Sequence, residues 1–251
     1  MPASERPARE SLAQRVAREL GTAILRGWHP PGTVLPTEEV LCAAYRVGRN
    51  VLREAIKTLV GKGLLETRRR AGTIVQPRAR WNLLDLDVLL WMVSDLGLRH
   101  SLLDEITQLR LMLEPEVAAL AAQHARDEQI TALDRAYARM ERERFDEKRA
   151  IEADIAFHEL LFAATGSSLV QSLVRAFVIL LRANFELAIQ AEGGFIRNLE
   201  QHRWIVEALR ARDPERARLA MRSLLVANAG DLARMRGSAA ERERVDGERS
   251  R

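Results

Sequence analysis

The chain has 251 residues and a formal net charge of +4, and its composition, 47% hydrophobic and 29% charged, is typical of a folded globular protein with two domains. A single cysteine, Cys42, excludes an internal disulfide and a cysteine-rich zinc site. No apolar run approaches the roughly 18 residues of a membrane span, and no signal peptide is visible, so we expect a cytoplasmic protein.

Two amphipathic helices are predicted before residue 46. The first covers residues 11–26, because its apolar residues recur every four positions: Leu12, Val16, Leu20 and Ile24. Pro31 and Gly32 then suit the two central positions of a type II turn. Thr37 is the predicted N-cap of the second helix, which ends near Tyr45.

A third helix is predicted to begin within VGRNVLREAI, residues 47–56. One of its faces is apolar and can pack on the first two helices: Leu52, Ala55, Ile56 and Leu59. The opposite face is polar: Arg49, Asn50, Arg53 and Lys57. Arginine can bond guanine with two donors and asparagine can bond adenine in the same way. The polar face therefore predicts a helix that reads the major groove of DNA, entering by its first turn.

The stretch LLETRRRAGTIV predicts a β-hairpin whose turn lies around residues 70–72. We expect its arginines to contact the DNA backbone or minor groove: Arg68, Arg69 and Arg70. The backbone amides of Gly72 and Thr73 could approach phosphate closely. Any one arginine is more often a solvated surface charge, but helix, groove-facing residues and basic hairpin coincide here. Residues 10–76 therefore predict a winged helix-turn-helix domain that binds DNA.

The remainder predicts a mainly α protein. VQPRARWN has no periodicity and indicates a linker at residues 77–82. Residues 83–235 predict an all-α bundle of about seven helices: 83–96, 101–125, 127–145, 147–165, 168–191, 194–211 and 214–235. Residues 236–251 are charged and almost without apolar side chains, so we expect a disordered tail.

Three of these helices carry polar residues in rows that are otherwise apolar. Arg110 interrupts such a row, and a buried arginine is unfavourable unless an anion meets it. Asp154 and His158, at i and i+4, project from one helix face and could ligate one cation. His202 interrupts a third row, which includes Phe195. For any single histidine, a hydrogen-bonded core residue is the more frequent alternative.

The stretch LPTEEVLCAAYRVGRNVLREAIKTLVGKGLLETRRRAGTIV resembles the N-terminal domain of GntR-family transcription regulators. RWNLLDLDVLLW, LRLMLEPEVAALAA and EADIAFHELLF resemble the FCD ligand-binding domain of the FadR branch, and within it the galactonate-type sugar-acid repressors. The resemblance implies a homodimer that binds a palindromic operator and releases it on binding a metabolite. Arg49 and Arg53 match DNA-reading arginines of the family. Gly48 stands where the family usually has Ser or Thr, and Glu39 where many members have an arginine.

The resemblance also implies a metal site of one Asp and three His. Asp154, His158 and His202 match three of its positions, whereas Ser223, a poor zinc ligand, stands at the fourth. Zinc is the expected cation, with nickel or manganese as substitutes. Arg110 would then bind an effector carboxylate in bidentate fashion. Asn228 could bond effector hydroxyls, or could equally be an amide at a helix interface.

The leading prediction is a ligand-responsive transcription regulator, a repressor of sugar-acid catabolism similar to that of galactonate or gluconate. One alternative is a metal-dependent hydrolase fused to a DNA-targeting module, because Asp plus two His is also a catalytic zinc set. Another alternative is that the helical half serves for dimerisation alone, with its interior polar residues pairing among themselves.

Overall fold

The computed structural model describes residues 10–188 and 198–230. The predicted tail at 236–251, the helix ends predicted at 191, 194 and 235, and Phe195 lie outside these ranges. The contacts between residues divide the chain into two compact units, with the division between His100 and Ser101.

The first unit begins with three short helices: α1 (Leu12–Leu25), α2 (Glu38–Tyr45) and α3 (Arg49–Gly61). Ser11 and Thr37 cap α1 and α2, because their hydroxyl oxygens accept backbone N–H groups that have no partner within the helix. The buried apolar residues come from the faces that the sequence periodicity indicated, including Leu20 and Ile24 of α1 and Leu52 and Leu59 of α3. The predicted helices are confirmed.

A two-stranded antiparallel hairpin follows, formed by β1 (Leu65–Arg68) and β2 (Gly72–Val75). Its turn needs two residues in the left-handed region, Arg70 with φ 68° and Gly72 with φ 82°. Val34, which lies before α2, adds an isolated bridge to Ile74 and ties the hairpin to the helical part of the unit. The predicted winged helix-turn-helix is confirmed.

A fourth helix, α4 (Leu86–Ser94), also packs on α1. A Cβ added at Gly21 of α1 would lie 2.5 Å from the ring of Trp91, so the two helices approach closely at this point. The ammonium of Lys62, 8% exposed, lies 2.6 Å from Asp85 and 2.7 Å from Asp87 at the start of α4. These contacts explain why α4 groups with the first unit, although the sequence suggested a linker at residues 77–82.

The second unit is an all-helical bundle within the described residues. Its helices are α5 (Leu96–His124), α6 (Asp127–Glu143), α7 (Glu147–Ala163), α8 (Ser168–Ala188), α9 (Leu199–Arg210) and α10, which covers residues 214–230. The division between the units falls in the first turns of α5. The largest fully buried side chains of the bundle include Phe157, Phe162 and Leu181. No helix in the described ranges is both long and apolar enough to cross a membrane.

The break before α5 differs from the predicted one at residues 97–100. Gly97 lies inside the helix, and the chain is extended at Asp95 instead. The carboxylate of Asp95 accepts the backbone N–H of Leu98 at 3.1 Å, which satisfies a donor in the first turn of α5. The helix therefore starts where an acidic cap is available.

Candidate functional site

The polar face of α3 is exposed along its whole length, with Arg49, Asn50, Arg53 and Lys57 all on the surface. Arg53 lies 3.1 Å from Glu38 of α2, and Lys57 lies 2.8 Å from Glu54. These ion pairs are solvated and therefore weak, so DNA could replace them. Gly48, the N-cap of α3, provides no side-chain hydrogen bond to the helix. Arg49 and Asn50 occupy the first turn, as the groove-reading hypothesis requires.

The hairpin also exposes basic side chains. Arg68, Arg69 and Arg70 are exposed, and Arg68 is bound to Glu66 on the same strand at 2.9 Å. Within the described part of the chain, the side chains of Arg69 and Arg70 have no hydrogen bond or ion pair. Their charges, at the hairpin tip, are thus available to an anionic partner such as a phosphate backbone.

The second unit contains a set of five buried side chains on three helices, which we call the buried polar cluster: Arg110 and Glu114 of α5, Asp154 and His158 of α7, and His202 of α9. None of them is more than 3% exposed. The ring of Phe157 packs in a T-shaped arrangement against both imidazole rings, so the cluster also has an apolar neighbour. A low-dielectric environment strengthens every charge interaction within the cluster.

Asp154 lies between the two histidines. Its Oδ1 is 3.2 Å from Nε2 of His158, and its Oδ2 is 3.6 Å from Nε2 of His202. One ligand atom from each of the three residues can be chosen so that all lie within 4.8 Å of one another. Two ligands of a tetrahedral zinc ion are about 3.3 Å apart when each bond is about 2.0–2.1 Å. The three side chains therefore have a spacing that suits a small divalent cation.

The orientation of the imidazole rings supports the same interpretation. Nδ1 of His202 lies 2.7 Å from the carbonyl oxygen of Asn198, which can only accept, so Nδ1 carries the proton and Nε2 keeps its lone pair. Nε2 of both histidines and Oδ1 of Asp154 are buried without a hydrogen bond to any described residue, and so are Nδ1 of His158 and Oε2 of Glu114, whose contact at 2.7 Å is an ion pair. Buried polar atoms of this kind usually have a partner, and a bound cation would provide one.

The cluster shifts the pKa of three of its members: Glu114, His158 and His202. Burial alone would raise the pKa of Glu114, but the charges of Arg110 and His158 outweigh it and lower the pKa to about 2. Burial would lower the pKa of His158, but Glu114 and Asp154 raise it to about 9. Burial is the main reason why the pKa of His202 is lowered. Without a cation, a protonated His158 therefore balances the second carboxylate.

Arg110 is paired with an anion, as a buried arginine requires, and this anion is the carboxylate of Glu114 on the same helix. Nε of Arg110 donates to Oε1 of Glu114 at 2.5 Å. Asn228, half-buried, accepts a hydrogen bond from the side-chain amide of Asn198. Ser223 is exposed while the adjacent Leu224 is buried, so Ser223 does not join the buried polar cluster.

Glu114 was missed by the sequence analysis, although a signal for it was present. It lies four residues after Arg110 and is followed at i+4 and i+7 by Ala118 and Ala121, which are fully buried. Glu114 thus interrupts an apolar row in the same way as Arg110 does. An acidic residue at i+4 from an arginine is frequent on solvated helix faces, so this spacing alone does not predict a buried pair.

Both units of the chain match known protein families. Residues 12–75 match the family described as bacterial regulatory proteins, gntR family, and residues 105–227 match the FCD domain. The galactonate operon transcriptional repressor of Escherichia coli K12 is 32% identical over 215 residues, which are 85% of this chain and 93% of the relative. The uncharacterized HTH-type transcriptional regulator YieP of the same strain is 32% identical, over 90% of this chain and 97% of its own.

The repressor NanR of Salmonella schwarzengrund is 31% identical, over 87% of this chain and 83% of its own. These matches are to transcriptional regulators and not to enzymes, so the hydrolase alternative has no support. Glu159, the acidic residue beside His158, is moreover exposed and cannot act as a base within the cluster.

Two solved structures share the fold. Lar, which controls the expression of the Listeria monocytogenes agr system, matches with a TM-score of 0.57 at 19% identity, over 89% of this chain and 97% of its own. E. coli McbR/YncC matches with a TM-score of 0.50 at 17% identity, over 90% of this chain and 98% of its own.

Proposed function

The chain belongs to the GntR family of bacterial regulatory proteins and carries an FCD domain, and we propose that it represses a sugar-acid catabolic operon until a small carboxylate releases it from the operator DNA. It is a DNA-binding transcriptional regulator and not an enzyme. GntR regulators bind operator DNA and small effectors, typically as dimers. The similarity to the galactonate operon repressor supports a sugar acid, such as galactonate or gluconate, as the effector.

The operator would be read by α3 and held by the hairpin. Arg49 and Asn50 would contact base edges, Arg53 would exchange Glu38 for a base, and Lys57 would contact phosphate. The hairpin would hold the backbone or minor groove through Arg68, Arg69, Arg70, Gly72 and Thr73. The support for these roles is that the side chains of both arginine sets are exposed. A homodimer would present two such helices to a palindromic operator.

A divalent cation, with zinc as the first candidate, would be held by Asp154, His158 and His202. Two imidazole nitrogens and one carboxylate oxygen leave positions for water or an effector, as in other three-ligand zinc sites. Bound there, the cation would supply a positive charge, and the effector carboxylate could be one of its ligands. The lone pair on Nε2 of His202 and the converging spacing of the three side chains support this assignment.

The charges of the buried polar cluster support an anionic effector. Arg110 carries one positive charge, and Glu114 and Asp154 carry two negative charges, so the net charge is −1 when both imidazoles are neutral. A divalent cation would change this to +1, which is unfavourable in a buried site. One carboxylate near the cation and Arg110 would neutralise the set. Asn228 would bond the hydroxyl groups of a sugar acid.

The proposal is tested with DNA fragments that the full chain selects from a random library. Affinity for a selected fragment is measured by fluorescence anisotropy at fixed salt, with and without galactonate or gluconate, in zinc-loaded protein. We expect the sugar acid to weaken binding by about 5–150-fold, the usual range of allosteric coupling. Acetate at equal ionic strength is the control. Unchanged affinity with every sugar acid would remove this effector class.

A further inference from the structure

Glu114 is fully buried and faces the proposed metal ligands without being one of them. Its two carboxylate oxygens have different partners: Oε1 accepts from Arg110, and Oε2 lies 2.7 Å from Nδ1 of His158. We propose that Glu114 is a positioning residue, which holds His158 so that Nε2 faces the cation and which links this histidine to Arg110. This inference rests on the proposed metal site.

The need for a positioning group follows from the chemistry of histidine. An imidazole can place its proton on either ring nitrogen, and one of the two must be deprotonated to bind a metal. A carboxylate beside Nδ1 attracts the proton to that nitrogen, which leaves the lone pair on Nε2. For His202 the carbonyl of Asn198 has this role. Both rings therefore direct Nε2 toward Asp154, and their planes lie at 84° to each other.

The second contact of Glu114 extends its role to the effector. The hydrogen bond from Nε of Arg110, at 2.5 Å, fixes the position of the carboxylate that contacts His158. An effector that draws the guanidinium of Arg110 toward itself would therefore act on the His158 ring through Glu114. Because coupling free energy is reciprocal, bound cation would in turn favour the arginine position that receives the effector.

Glutamine at position 114 tests this role because it keeps the shape of glutamate. With a cation on Nε2, Nδ1 of His158 carries the proton, so the two groups that face Glu114 are both donors, this Nδ1–H and the Nε–H of Arg110. Glutamine has one accepting oxygen and one donating NH₂ group. The side chain of Glu114→Gln can therefore accept a hydrogen bond from one of these donors, but its NH₂ group must then face the other donor. Glu116→Gln on the same helix is the matched control, because Glu116 is 58% exposed and is bound to Arg218 at the surface.

Zinc affinity of the full-length chain is measured by competition with a chelator, and the ring tautomers of His158 are read by long-range proton–nitrogen NMR in the zinc-loaded protein. We expect zinc to bind Nε2 of His158 in the wild type. Glu114→Gln should bind zinc about 10–100-fold more weakly and lose the uniform Nδ1–H signal. Glu116→Gln should match the wild type in both measurements.

The outcomes separate this inference from the proposed function. If the wild type binds no zinc, the metal site fails and the inference falls with it. If the wild type binds zinc and Glu114→Gln binds it equally well with the same tautomer, the metal site stands and the positioning role is overturned. If Glu114→Gln does not fold, Glu114→Asp is measured instead, because aspartate keeps the charge but has a shorter side chain. Wild-type zinc affinity and a wild-type His158 tautomer in Glu114→Asp would overturn the inference.

Discussion

The two units use arginine in opposite ways. On α3, Arg49 and Arg53 lie at the surface, and the side chain of Arg53 stays 60% exposed in its ion pair with Glu38. In the bundle, Arg110 is 2% exposed and is paired with a fully buried carboxylate. Binding energy therefore originates differently at these two positions. An exposed arginine contributes little until a partner desolvates it, whereas a buried one is already balanced, so a ligand must rearrange existing contacts.

The largest expected difference between the two regions is in stability. Arg110→Met leaves the Glu114 carboxylate buried without its strongest counter-charge, so it should lower the free energy of unfolding by about 3–5 kcal/mol. Arg53→Met, at the surface, should leave it unchanged within measurement. Urea denaturation followed by circular dichroism measures both. The double variant Arg110→Met with Glu114→Met should recover much of the loss, and equal effects at positions 53 and 110 would contradict the contrast.

Metal addition should act on the bundle and not on the exposed face. Zinc at about 100 times its dissociation constant should stabilise the wild type by about 2.7 kcal/mol. His202→Ala removes one of the three proposed ligands and should abolish most of that gain. His124→Ala, at the exposed end of α5, is the control and should respond to zinc as the wild type does. Thermal unfolding with and without chelator is the measurement, and zinc stabilisation that persists in His202→Ala would exclude this ligand.

On the exposed face, the expected effects appear in DNA binding. Arg49→Ala should weaken operator binding by about 1–3 kcal/mol and relax selectivity at one base position. Arg69→Ala, at the hairpin tip, should weaken selected and random DNA alike and reduce the salt dependence by about one phosphate contact. Anisotropy titrations over a range of salt concentrations separate the two. Equal losses on selected and random DNA for both variants would contradict the assigned division between base reading and backbone contact.

The sequence predicted what depends on local periodicity. Leu52 and Leu59 set the buried face of α3 and so fixed Arg49 on its exposed side, and Arg110 and His158 were recognised because they interrupt apolar rows. The assignment of α4 could not be predicted in this way. An apolar helix face shows that a helix packs, but not on which partner. The contact of Trp91 with Gly21 joins residues far apart in the chain.

The composition of the buried polar cluster was predicted in part for a related reason. Asp154 and His158 lie on one helix, so their proximity follows from the i, i+4 spacing, and His202 joined them through the family resemblance. Glu114 contacts His158 across two helices, and no spacing rule gives the packing of α5 on α7. Ser223 was aligned with a ligand position, but the turn of α10 that buries Leu224 exposes its neighbour.

The ion pair between Asp95 and Arg26 is intermediate in exposure between those of Arg53 and Arg110, and its loss should have the smallest effect. Asp95 is 9% exposed, but Arg26 keeps 40% of its side chain exposed. Burial alone would raise the pKa of Asp95, but the hydrogen bond from Arg26 and the N–H of Leu98 lower it. Because the folded pKa is the lower one, the stabilisation is present above the unfolded value and is lost as the pH falls through the folded pKa.

Asp95→Asn isolates this ion pair, because asparagine caps a helix about as well as aspartate. At pH 7 the variant should be less stable by about 1 kcal/mol, a value reduced by the solvent exposure of Arg26. The difference from the wild type should shrink as the pH falls below about 4. Urea denaturation at several pH values measures it. A constant difference would show that Asp95 acts as a cap alone, and a loss of about 3 kcal/mol or more would place this pair with Arg110 instead.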